Sequence, residues 1–417
     1  MTKLEIFDDV VSIMQNDSST CKDKQGGDVS YFRAQIADDM DDEKFLFVMR
    51  SYLATFGLTG HLVFYQQEGR GSISFDVRRY QDVLYVDDVA ENSLFRVGDR
   101  IVEVEGIPVK EFAEAHAEFL YGETEERQAP HWTPLLSFFR EVTVEGEDGA
   151  RKHIPITLDA EWKQENPYVC KQLRDDIAYL QLADFSNELQ LQKLYQENEE
   201  LLSEMTYLII DVRKNGGGTD SAYYPLLKYC LPEGKSLNDL GLKDKGMEVN
   251  YTERNVKERL KFYSEYKEQA ELPKETLALI DSMEAEAKKH CGEGFIRSLD
   301  DFTIPVKGAA TASKHVYILT DCYCASTGDA FVENVSISPK VTVVGRPTMG
   351  ILDYSNLNMI TYGSYGFAYP TSRRTELDEG IHMMGCGVPV QVHVPWTPEH
   401  LTRDVDLEKV FELIADL

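Results

Sequence analysis

The sequence predicts a layered α/β domain joined to a small β-rich module and preceded by a helical lead-in. Three observations carry this reading. The runs "TYLIIDV", "HVYILT" and "KVTVVG" are continuously apolar, as expected of parallel strands covered on both faces. Between strands lies "NELQLQKLYQENEELLSEM", an amphipathic helix with charge on its outer side, and strand–helix alternation implies right-handed crossovers. From about Gly71 to Ile156 the pattern changes to short stretches alternating at period two, broken by turns.

Taken in chain order, residues 1–68 form the lead-in, because apolar residues recur at helical spacing through "FLFVMRSYLATF" before the strand-like "GHLVFYQQ". Residues 69–160 form the β-rich module. Its order of strands, "RVGDRIVEVEGIPV" and the helical "VKEFAEAH" resembles a PDZ domain, a fold that takes peptides by adding a strand to a sheet edge. Residues 161–417 form the α/β domain, interrupted at about 237–301 by a charged helical stretch, "NVKERLKFYSEYKEQAELPKETLALIDSMEAEAKKH". That stretch reads as an inserted arm or lid, or equally as a solvated surface excursion.

Composition narrows the function. Hydrophobic residues at 42% and charged residues at 28% are ordinary for a globular chain. The net charge of −29 argues against nucleic-acid and anionic-membrane partners, which need a basic footprint. It serves solubility, with a weaker preference for basic or neutral peptides. The seven cysteines show no repeated metal spacing, and Cys322 and Cys324 stand too close together for zinc pairing. No metal or cofactor is expected, and reduced thiols point to the cytoplasm. The opening "MTKLEIFDDVVSIMQND" carries acids within its apolar stretch, unlike a signal peptide, although a trimmed leader would leave no trace. No run reaches the roughly 18 apolar residues of a membrane span.

Two turns fall where parallel strands end, the place at which open α/β sheets bind ligands. In "LIIDVRKNGGGTDSAYY" three glycines follow Asn215, so the backbone can take positive φ and aim N–H groups above the sheet. Such donors suit an oxyanion or a phosphate, but the Lys-Ser/Thr ending of a P-loop is missing. In "YILTDCYCASTGDAF" Ser326 begins a helix between the small residues Ala325 and Gly328. A serine there fits an N-cap, the commoner role for such a stretch by itself, and it also fits a nucleophile favoured by the helix dipole.

These blocks, with "KVTVVGRPTMG" after them, resemble the C-terminal-processing and tricorn-core family of serine peptidases from about Thr206 to Pro389, the inserted arm excepted. The resemblance implies a crotonase/Clp-like layered α/β catalytic domain. It makes Ser326 the nucleophile and gives Gly217 or Gly218, with Thr327, as oxyanion donors. One branch of the family places a lysine base after "GRPTMG". Ile351 stands there and cannot accept a proton. The tricorn-like branch uses a histidine just before the PDZ module, which here is His61 in "LTGHLVFYQQ". An imidazole is well matched to general-base work near pH 7. His382, near "GCGVPV", is its competitor.

For the third member the resemblance points to a glutamate near "TELDEGIHMMGCGVPV", but Met384 holds the nominal position. Glu379 is the choice, with Asp378 and Asp353 nearby. The expected function is a serine endopeptidase acting on peptides or unfolded protein segments, compatible with homo-oligomer assembly through the arm. A peptide-binding scaffold that has lost hydrolysis is the alternative. An acyl-CoA enzyme of the crotonase type shares the architecture but leaves Ser326 and the β-rich module unexplained.

Overall fold

The computed structural model describes residues 1–416 other than 59, 164–165, 243–245, 270–273, 298–303, 305 and 311–312. The chain divides into two compact units, one of Met1–Arg70, Lys245–Asp301 and Leu352–His382, the other of Gly71–Asp244, Phe302–Ile351 and Met383–Leu417.

The first unit gathers the lead-in helices and a five-stranded antiparallel sheet. Thr2 and Glu5 form a capping box at the start of the helix Lys3–Asn16, which buries Ile6, Phe7, Val10, Ile13 and Met14. Asp41 caps the helix Asp42–Ala54 by accepting the Lys44 amide at 2.8 Å, a bond of a kind worth about 1 kcal/mol. The two helices meet through Phe7 and Tyr52, whose rings lie 5.2 Å apart edge to face. The strand-like "GHLVFYQQ" forms the strand Val63–Gln66, paired antiparallel with Tyr365–Arg374. Tyr365–Arg374 also pairs with Tyr354–Tyr362 and with Met247–Tyr251. The charged insertion holds the helices Glu253–Gln269 and Lys274–Lys289, and it also supplies two strands: Met247–Tyr251 pairs with Gly294–Arg297, so the helices are carried on a sheet.

The second unit contains two sheets. Residues of the β-rich module build an antiparallel sheet in the order Phe75–Tyr80, Val83–Val89, Arg100–Val104, Glu141–Glu145, Arg151–Pro155. Its alternating residues Phe75, Val77, Leu84, Val86, Ile101 and Val104 pack with Phe112 and Trp132 into one core. The other sheet runs Val392–His393, Val341–Gly345, His315–Thr320, Tyr207–Asp211, Ile177–Leu182, Tyr168–Arg174. All of its pairings are parallel except the last. Ile209, Tyr317, Leu319 and Val344 share a core with Val410 of the helix Val405–Ala415. Leu208, Ile210, Val316, Ile318 and Val343 are also buried, so the sheet is covered on both faces and its strands read as unbroken apolar runs. The long amphipathic stretch forms two helices, Glu188–Glu197 and Glu199–Glu204. Asn198 divides them, because its side chain donates to the Leu194 carbonyl at 2.8 Å and closes the first helix.

Candidate active site

The strands Tyr207–Asp211 and His315–Thr320 are neighbours in the parallel sheet, so the turns at their carboxyl ends lie side by side. Asn215 joins them. It is fully buried, its carbonyl accepts the Ala325 amide at 2.8 Å, and its side chain donates to the Leu182 carbonyl at 3.0 Å. Gly217 has φ +96°, and a Cβ there would stand 2.7 Å from the Ser326 Cβ. Gly218 has φ +144°, and a Cβ there would collide with the Phe185 backbone at 2.2 Å. Only glycine fits either place.

Ser326 precedes the helix Thr327–Ser336 with φ +56° and ψ −117°. Side chains with a Cβ avoid that region, at a cost of about 1–3 kcal/mol, and residues held there cluster at functional sites. The Gly217 amide donates to the Asn215 Oδ1 at 3.0 Å. Among the described residues, the Gly218 and Thr327 amides donate to no partner. The Thr327 hydroxyl donates to the Gly218 carbonyl at 2.8 Å, which fixes the two turns together. Gly328 is small for a reason, since a Cβ there would meet the Cys324 Sγ at 2.8 Å.

Charge is packed beneath the serine turn. Asp321 accepts Arg78 of the β-rich module at 2.8 Å and Arg346 at 2.9 Å. Burial opposes its ionisation, but Arg346 and then Arg78 outweigh burial and hold its carboxyl far below the usual range. Arg346 continues to Asp406, and Arg213 joins Asp406 to Asp211 and Asp404. Arg127 donates to the carbonyls of Gly385, Pro347, Thr348 and Met349, clamping the segments on either side of the turn. Cys322 and Cys324 are buried with their thiols pushed well up by desolvation, so neither competes as a nucleophile.

His61 and Glu379 belong to the first unit. The ring of His61 is half-buried, and its Nδ1 lies 2.6 Å from the Tyr354 carbonyl oxygen. A carbonyl only accepts, so Nδ1 carries the proton, and Nε2 is the basic nitrogen of the neutral ring. Glu379 ends an exposed 3-10 turn, Thr375–Glu379, and has no hydrogen bond or ion pair among the described residues. Asp378 is bound to Arg373 at 2.8 Å. Asp353 is buried at 1% exposure, next in the chain to the carbonyl that His61 binds. His382 is exposed.

Asn215, Asp329, Arg78, Arg127 and the Tyr354 carbonyl were not singled out by the sequence reading. For Asp329 a signal exists, since Ser-Thr-Gly-Asp has capping-box spacing. The others depend on pairings between distant segments.

A serine at positive φ over the ends of parallel strands, beside a glycine turn whose Gly218 amide has no partner among the described residues, suits the chemistry of a serine hydrolase. Residues 176–388 match the model of peptidase family S41, and the chain belongs to that family as a serine peptidase, a hydrolase of peptide bonds. Among solved structures it resembles mature CPAF complexed with lactacystin at 15% identity and TM-score 0.67, covering 99% of this chain and 98% of that one. A second structure of mature CPAF gives 14% identity, TM-score 0.67, and coverage of 99% and 96%. These likenesses are to the fold. No curated protein matches the chain. Among the described residues no helix is long and apolar enough to cross a membrane.

Proposed function

We propose that this peptidase is an endopeptidase in which Ser326 attacks the scissile carbonyl and His61 takes the hydroxyl proton through Nε2. The observation that carries the reading is the conformation of Ser326, φ +56° at the head of a helix, beside two amides without partners among the described residues. The Gly218 and Thr327 amides are the proposed oxyanion donors, while that of Gly217 is spent on Asn215. The Tyr354 carbonyl orients the imidazole, in place of the Glu379 carboxylate. Nucleophile and base reside in different units, and the pairing is assigned by role, as triads are recognised by role and not by chain order.

The module at 69–160 is proposed as PDZ-like, taking a peptide along its edge strand Phe75–Tyr80, which pairs on one side with Val83–Val89. The substrate class is a peptide or unfolded protein segment, and the helical insertion is a candidate surface for assembly of copies. The cytoplasmic reading is supported by the seven cysteines standing as thiols. Ser326→Ala is expected to abolish both peptide cleavage and labelling by a fluorophosphonate. Undiminished cleavage by that variant would end the proposal.

A further inference from the structure

One buried ionisable group in the serine turn has no part in the chemistry above. Asp329 is wholly buried. Its Oδ2 accepts the Ser326 amide at 2.8 Å and the Ile351 amide at 3.1 Å, and its Oδ1 accepts the Gly350 amide at 2.8 Å. The Thr348 side chain bonds to it as well. One carboxylate therefore ties the serine's own amide to the chain that follows the strand Val341–Gly345. That chain has little room to yield: Gly350 has φ +79°, and a Cβ there would meet the Met383 carbonyl oxygen at 2.3 Å.

We propose that Asp329, acting as a carboxylate, is the positioning residue that holds Ser326 in its attacking conformation. The inference rests on Ser326 being the nucleophile. A side chain with a Cβ leaves positive φ unless its surroundings enforce that angle, and the amide of Ser326 is where Asp329 applies the constraint. The charged form is required. Several donors converge on two oxygens, and a protonated carboxyl would set its own O–H against one of them.

Burial pushes the Asp329 carboxyl up to about 6, opposed by the Thr348 side chain and the amides of Gly350, Ile351 and Ser326. From the serine turn the Cys324 thiol faces it, kept neutral because burial raises that thiol. On the segment after the strand Val341–Gly345, the groups that meet it are the Thr348 side chain and the Gly350 and Ile351 amides, all uncharged. The cations on or against that segment are engaged elsewhere: Arg346 binds Asp321 and Asp406, and Arg127 binds the carbonyls of Pro347, Thr348 and Met349. Acidification thus removes the constraint on Ser326 as the Asp329 carboxylate takes up a proton.

Protonation of Asp329 then steepens the acid limb. Below about pH 6, log(kcat/KM) should rise with pH at a slope about one unit steeper in the wild type than in Asp329→Asn. An amide side chain accepts fewer of these donors and turns an NH2 toward one of them. Asp329→Asn should therefore lower kcat about 100-fold with KM within about twofold, and slow fluorophosphonate labelling in parallel. Thr348→Val keeps the carboxylate, removes one donor and should move the acid limb to higher pH. A folded Asp329→Asn enzyme, checked by circular dichroism, with wild-type kcat and an unchanged acid slope overturns the inference. Should Asp329→Asn not fold, an acid limb left in place by Thr348→Val overturns it instead. Neither result touches the nucleophile, because loss of cleavage and labelling in Ser326→Ala is read separately.

Discussion

Ser326 is held through its backbone, whereas His61 is held through its ring. Around the serine, Asp329 binds the Ser326 amide, the Asn215 carbonyl binds the Ala325 amide, and Gly217 lies against the Ser326 Cβ. Around the histidine, the ring donates a hydrogen bond to a main-chain oxygen, that of Tyr354. The two devices differ in what a mutation can reach. The serine's conformation is exposed to changes at residues that never touch substrate, such as Gly217, Asn215 and Asp329. The histidine's bond is to a main-chain oxygen, a group that every residue type at 354 would supply.

The largest effect expected from this contrast lies at His61 itself. His61→Ala removes the proposed base and should lower kcat/KM by about 10²–10⁴-fold, with folding unchanged. Labelling by a fluorophosphonate should slow similarly, since the same proton must leave Ser326. A variant that retains wild-type cleavage would show that another group activates the serine and would undo the comparison on the histidine side.

Gly217→Ala tests the serine side. Its new Cβ would meet the Ser326 Cβ at 2.7 Å, on a backbone at φ +96°. The strain, about 1–3 kcal/mol, should lower the melting temperature and push Ser326 out of place, with kcat falling at least about tenfold. Gly216→Ala places its Cβ in open space at ordinary φ and should cost much less on both measures. Equal tolerance of the two substitutions would mean that the turn does not hold the serine through close packing.

The difference between the halves also explains how far the sequence could be read. The parallel strands were legible because coverage on both faces leaves continuous apolar runs such as "TYLIIDV". The turns were legible because positive φ demands glycine, and because a helix start between Ala325 and Gly328 is a local pattern. Asn215 lay within the quoted turn, yet its role depends on the Ala325 amide and the Leu182 carbonyl, which folding brings from two other strand ends. The ion pair of Arg78 with Asp321 likewise joins segments far apart in the chain. The Tyr354 carbonyl that His61 binds was beyond reach on any pattern, since a main-chain oxygen has no residue type.

The smallest effect should therefore be at Glu379. The residue is exposed and engages no partner among the described residues, and a surface carboxylate in such a place is worth little. Glu379→Gln removes its charge with almost no change in shape. If the Tyr354 carbonyl orients His61, kcat/KM should stay within about twofold and the melting temperature should hold, since surface substitutions usually remain within about 0.5 kcal/mol. A loss of about tenfold or more in kcat, with KM unchanged, would mean that this carboxylate acts on the imidazole during turnover. Asp353→Asn sharpens the result: buried beside the Tyr354 carbonyl in the chain, Asp353 should be the more sensitive of the two acids. The ranking of these variants, measured on one substrate at one pH, decides whether the histidine is set by main chain or by charge.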